Sequence, residues 1–159
     1  MTPLEILKRL ELLSWDIILV GWDNGWVNRN DIINYALQLL INGKDEGDIN
    51  LAVIAGGDCY NDTEIHELVI SYLVAKGEQI PLSKERVSDA IDKWRLAHLI
   101  NIEESNHSDE NKLSRLQDIY ADFDYPPDME SCSIYSQDST DPLVALRNTI
   151  LQLRDKFQV

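Results

Sequence analysis

The chain has 159 residues, 44% of them hydrophobic, enough to build a core without disulfide or metal staples, since a domain of this size buries roughly 68–70% of the surface its unfolded chain exposes. Twenty-eight Asp and Glu stand against fourteen Lys and Arg, a formal charge of −14, so the electric field around it repels nucleic-acid backbones and anionic membranes, and the charge either suits a basic protein or only keeps an abundant protein soluble. Its start, Met1-Thr2-Pro3-Leu4-Glu5, lacks the basic opening and apolar run of a signal peptide, and no apolar stretch approaches the ~20 residues of a membrane span, so a cytoplasmic protein is expected.

In chain order the apolar spacing is helical almost throughout, with breaks at glycine, proline and Asn/Asp clusters. Residues 2–12 put Leu4, Ile6, Leu7 and Leu10 on one broad face, and Ser14 fits as the cap of a short apolar helix ending at Asn24-Gly25, with Leu13 and Ile18 as a hydrophobic staple. Asn30 is expected to cap the next helix, in which Ile32, Ile33, Ala36, Leu39 and Leu40 recur at helical intervals before Asn42-Gly43; together these two helices resemble a hairpin. Residues 48–55 read as a buried helix or, less readily, a strand, closed by Gly56-Gly57. After Asn61-Asp62, the stripe Ile65, Leu68, Val69, Tyr72, Leu73 runs to Gly77, with Asp62 and Glu64 placed at the positive end of the helix dipole.

Ser83 caps a helix whose inner face is expected to carry Val87, Ala90, Ile91, Trp94, Ala97 and His98, with Lys84, Glu85, Asp89, Asp92 and Arg95 facing water. A polar loop over 102–110 precedes a helix from about Asn111 to Asp124, which Pro126-Pro127 terminates. A polar stretch follows to Thr140. Asp141-Pro142 then opens a last helix with Leu143, Leu146, Ile150, Leu153 and Phe157 in phase. The reading is an all-α, single-domain irregular bundle of about seven or eight helices over 1–159.

Motifs for chemistry are sparse. His66, His98 and His107 form no His-x3-His or His-Glu-x-x-His pair, the glycines make no phosphate-binding loop, and no serine sits in a nucleophile elbow. Cys59 and Cys132 have neither zinc nor redox spacing and are expected as reduced, buried thiols. Asp122-Phe123-Asp124 matches an Asp-x-Asp cation-binding pattern, but it ends a helix instead of following a strand of a parallel sheet. No catalytic residue, cofactor or metal is therefore assigned, and a non-enzymatic role is expected.

The same segment breaks local rules. Asp118 and Asp122 are like charges one helical turn apart, unfavourable by roughly 0.2–0.5 kcal/mol, and Asp122 and Asp124 lie where the helix dipole disfavours carboxylates by about 0.3–1 kcal/mol each. Such violations concentrate at functional surfaces. Asp118, Tyr120, Asp122, Asp124, Tyr125, Asp128 and Glu130 are accordingly the candidate partner-binding residues, tyrosine beside carboxylate being suited to hold Arg or Lys of another protein.

At these residues, Ile119-Tyr120-Ala121-Asp122-Phe123-Asp124-Tyr125-Pro126, and at Ser14-Trp15-Asp16-Ile17 followed by Gly21 and Asn24-Gly25, the chain resembles a bacterial family known as domain of unknown function 2247. The resemblance covers most of the chain, although the stretch from Glu130 to Ser136 departs from the family pattern. It implies an immunity protein: a cytoplasmic partner that neutralises a secreted or contact-delivered toxin domain, often a nuclease, as in contact-dependent growth inhibition and other toxin–antitoxin systems. A nuclease has a basic substrate groove, which an acidic inhibitor can cover. The alternative is an acidic helical adaptor or scaffold that binds a basic cytoplasmic partner.

Overall fold

Helix starts depend on the fewest residues, and here side-chain caps set most of them. In the computed structural model, which describes residues 1–44 and 47–159, the chain is all-α, with no strand among the described residues. Its helices are α1 (Pro3–Arg9), α2 (Trp15–Asp23), α3 (Arg29–Ile41), α4 (Ile49–Ala55), α5 (Asp62–Ala75), α6 (Lys84–Glu103), α7 (Asp109–Asp122) and α8 (Pro142–Phe157). Short 3-10 turns occupy Gly57–Cys59 and Pro127–Cys132. Thr2, Asn28 and Asn61 each accept from the N–H three residues on, while Glu5, Asp31 and Glu64 reach back to the cap N–H. These are reciprocal capping boxes. The cap of α3 is thus Asn28 and not Asn30, because only Asn28 has an acid, Asp31, three residues later.

Two compact units emerge, residues 18–88 and residues 1–17 with 89–159. In the first, α3 packs chiefly on α4 and then α5, burying Ile32, Ile33 and Ala36 with Leu51, Ile54, Ile65 and Val69. Gly57 is needed at this contact, since a Cβ there would lie 2.5 Å from Ile65 Cδ1. Segment 49–55 is the expected helix but only half buried, with Ile49 and Val53 outside. Cys59 is exposed, contrary to expectation, because it ends the 3-10 turn beyond that contact.

In the second unit the buried stretch of α6 is the axis. Trp94, Arg95, Leu96 and Ala97 are consecutive and all buried, so this part of the helix is covered on every side. Trp94 Nε1 donates to the Ile17 carbonyl at 2.9 Å. Arg95, expected at the surface, is only 4% exposed; a guanidinium in that position needs carboxylates, and it has them. Arg95 makes a two-pronged bridge to Asp128 at 2.7 and 2.9 Å and a third contact to Asp92 at 3.1 Å. Lys156 on α8 joins Asp92 at 2.8 Å. Ile102 continues α6 as a buried residue instead of opening a loop, and α7 begins at Asp109 because Ser108 accepts from the Asn111 N–H.

Several helices end in one pattern. After α3 and α5, Gly43 and Gly77 take left-handed dihedrals, and the next N–H bonds back to Leu39 and Leu73, the Schellman closure. Three further ends achieve it without glycine: Glu11 closes α1, so this helix stops at Arg9 and Leu12 folds back onto the Leu7 carbonyl, Asp124 closes α7, and Gln158 closes α8 with the Val159 N–H on the Arg154 carbonyl.

Candidate partner-binding surface

The end of α7 is built as a cap first. Asp124 N–H bonds to the Ala121 carbonyl at 3.0 Å and Tyr125 N–H to the Tyr120 carbonyl at 2.8 Å. Both Asp124 (φ 59°) and Tyr125 (φ 53°) are left-handed, a conformation that crowds Cβ against the backbone by roughly 1–2 kcal/mol per residue and that Asp tolerates better than most. The motif normally adds an apolar contact across the cap. Here it is Tyr120 against Tyr125, edge to face with centroids 5.1 Å apart at 88°. Asp118, Asp122 and Asp124 are exposed at this end of α7, and Tyr125 is 60% exposed.

The chain then crosses residues 127–140 on buried anchors. Met129 and Cys132 insert from the 3-10 turn, which packs on α8 and α7. Gln117 of α7 clamps the exit, its Nε2 donating to the Cys132 carbonyl at 2.8 Å and its Oε1 accepting from the Ile134 N–H at 3.2 Å. Ser131 Oγ donates to Asp138 at 2.6 Å, and Thr140 N–H donates to the same carboxylate at 2.7 Å. Two apolar side chains stand exposed on this scaffold among polar and acidic ones: Ile134 is 51% and Tyr135 87% exposed. Beside Tyr135 is a hollow of about 550 Å³, walled by Tyr120, Tyr135, Glu130, Asp138, Gln137 and the serines of the loop.

Charge singles out the same region. Between Arg115 and Arg147 there is no Lys or Arg, while Asp118, Asp122, Asp124, Asp128, Glu130, Asp138 and Asp141 all fall there. Asp118, Asp122, Asp124 and Glu130 are exposed and form no ion pair among the described residues. Asp128 differs, because it is held by Arg95. Of the seven residues singled out from sequence, Tyr120 joins the two halves of the surface, meeting Tyr125 across the cap and lining the hollow with Glu130. Sequence reasoning passed over Gln117, Ile134, Tyr135 and Asp138. One signal was available: Ile134-Tyr135 is an apolar pair with no helical partner in an otherwise polar stretch.

Three groups here titrate abnormally. Burial between Trp94 and Phe123 holds His98 down at about 4, against an upward pull from Asp122 and with a smaller downward push from Arg115. Burial raises the Cys132 thiol despite its contact with Thr149. Hydrogen bonds from Ser131 and Thr140 lower Asp138, so this carboxylate stays charged and oriented. Among the described residues no group of three His, Cys, Asp or Glu is arranged to hold a metal ion, and no helix is long and apolar enough to cross a membrane.

The fold and this surface define an acidic all-α protein in which an exposed tyrosine, Tyr135, shares a hollow with two carboxylates, Glu130 and Asp138. It belongs to domain of unknown function family 2247, described as an uncharacterized protein conserved in bacteria, whose pattern it matches over residues 4–158. No curated protein and no solved structure matches the chain.

Proposed function

We propose that this chain is an immunity protein, binding a basic toxin domain and masking its substrate groove with the surface formed by the end of α7 and residues 127–140, without chemistry of its own. The observation that carries the reading is the stretch between Arg115 and Arg147, which has seven carboxylates and no cation, six of those carboxylates exposed and without an ion pair among the described residues, together with the exposed Tyr125 and Tyr135. Bare carboxylates accelerate encounter with a basic partner, and desolvated tyrosines supply the short-range energy that charge does not. The family resemblance read from the sequence supports a nuclease-like toxin as the kind of basic partner.

The test is co-expression with the toxin domain encoded beside this gene, followed by measurement of affinity at low and high salt. Wild type is expected to protect the cells and bind one to one, with affinity falling as ionic strength rises. A variant carrying Asp118→Lys, Asp122→Lys and Asp124→Lys is expected to fold and to lose at least about 100-fold in affinity, as several reversed charges at one interface do. Unchanged low-salt binding by the variant would discard this surface. A gene with no toxin neighbour and no protective effect would favour the adaptor role.

A further inference from the structure

We infer that the hollow between Tyr120 and Tyr135 is the receptor for one arginine side chain of the partner, and that residues 130–138, more than the end of α7, set which partner is accepted. The inference rests on the binding role proposed above and assigns the anchoring contact within it.

The hollow, about 550 Å³, offers two kinds of wall that match a guanidinium and few other groups. Tyr120 and Tyr135 supply aromatic rings, over which a planar, weakly hydrated cation stacks. Glu130 and Asp138 supply carboxylates, which a guanidinium engages through paired N–H donors. Asp138 is already oriented, its oxygens accepting from Ser131 and Thr140, so less freedom is lost when a ligand arrives. Among the described residues no Lys or Arg lines the hollow, and the chain from 116 to 146 contains none. The missing positive charge must come from outside. An ammonium would satisfy the carboxylates but fit the ring walls less well, so arginine is preferred over lysine.

Roles divide accordingly between neighbouring segments. The side chains of Tyr120 and Tyr125 close the α7 cap on each other, and Asp124 supplies its left-handed turn. By contrast, Tyr135 is 87% exposed, and no structural use of its ring is evident. An exposed aromatic side chain on a loop pinned at Gln117 and Cys132 is the arrangement of an interface hot spot waiting for its counterpart.

The experiment is an NMR titration of the 15N-labelled full chain with the peptide acetyl-Gly-Arg-Gly-amide, run in parallel with the versions carrying citrulline or lysine at the centre. Saturable shifts are expected at Tyr120 and through 130–138 for arginine, weaker ones for lysine and none for citrulline, which keeps the shape but not the charge. Tyr135→Ala and Glu130→Gln, both exposed positions, are each expected to weaken the arginine peptide about tenfold, a typical anchor effect, with unchanged melting curves. Equal shifts for arginine and citrulline, shifts spread over other acidic sites such as Asp109 and Glu110, or an unaltered Tyr135→Ala titration would overturn the inference. The two readings fail separately. If the neighbouring toxin is bound and Tyr135→Ala leaves that affinity unchanged, the arginine receptor is wrong and the immunity role stands. If the arginine peptide saturates the hollow but no toxin is bound, the receptor stands and the immunity role falls.

Discussion

Two sets of acids sit within one unit of this protein and are used in opposite ways. Asp89, Asp92 and Asp128 surround cations: Asp128 and Asp92 hold the buried Arg95, and Asp89 and Asp92 hold Lys156. Asp118, Asp122 and Asp124 have no such partner among the described residues and occupy positions that helix electrostatics disfavours. The first set is explained entirely by the fold. The second is explained only at Asp124, which takes the left-handed turn that closes α7, and this set lies on the helix end that carries the exposed Tyr125. Net charge alone could not separate them; the arrangement of cations does.

The largest expected effect attacks the first set. Asp128→Ala leaves a guanidinium that is almost wholly buried with only Asp92 beside it, and is expected to cost about 3 kcal/mol of stability, the lower end for breaking a buried pair because one carboxylate remains. Urea unfolding measures it, and a loss below about 1 kcal/mol would show that the Arg95 bridge does not hold the 127–132 turn.

Next comes His98, which lies against Phe123, the residue capping α7. Its folded pKa, about 4, is below the ordinary 6.5, so the unfolded chain binds the extra proton first as pH falls. Stability from this group is therefore complete above pH 6.5 and drains away between 6.5 and 4, by at most about 3 kcal/mol. The check is the stability difference between pH 7 and pH 4.5 in wild type and in His98→Phe, in which that part of the pH dependence should vanish.

Asp124→Gly gives the smallest effect and the sharpest contrast. Glycine relieves the left-handed residue and removes a carboxylate from the negative end of α7, so the variant is expected to gain about 1 kcal/mol while binding the basic partner more weakly. More stability with undiminished affinity would move Asp124 out of the recognition set.

The helical architecture was legible because its signals are local. Asn61 with Glu64, Ser83 ahead of Val87, and Asp141-Pro142 each specify a helix start within four residues, and each start is found there. The errors have physical causes. Arg95 was placed in water by assuming that α6 has one wet face, but Trp94 to Ala97 are enclosed all round, and the carboxylate that makes a buried guanidinium tolerable, Asp128, lies 33 residues away. Asn30 stands next to the apolar stripe, but the reciprocal acid Asp31 makes Asn28 the cap of α3. At the surface, the acids and tyrosines at the end of α7 could be singled out because they violate helix rules. Tyr135 violates none; its one sequence signal is the apolar pair it makes with Ile134 in a polar stretch, and the buried anchors Met129 and Cys132 on one side and the α8 cap on the other show that it is held out into solvent.

The clamp at Gln117 also bears on how such a protein could change partners. Gln117 holds the loop through backbone atoms alone, the Cys132 carbonyl and the Ile134 N–H, and Asp141 caps α8 independently through the Leu143 N–H. Residues 133–140 therefore span two posts that do not depend on their side chains. On the binding role proposed above, another loop of equal length is expected to replace these residues while the helices that carry it keep their packing, so that specificity would change without rebuilding the domain.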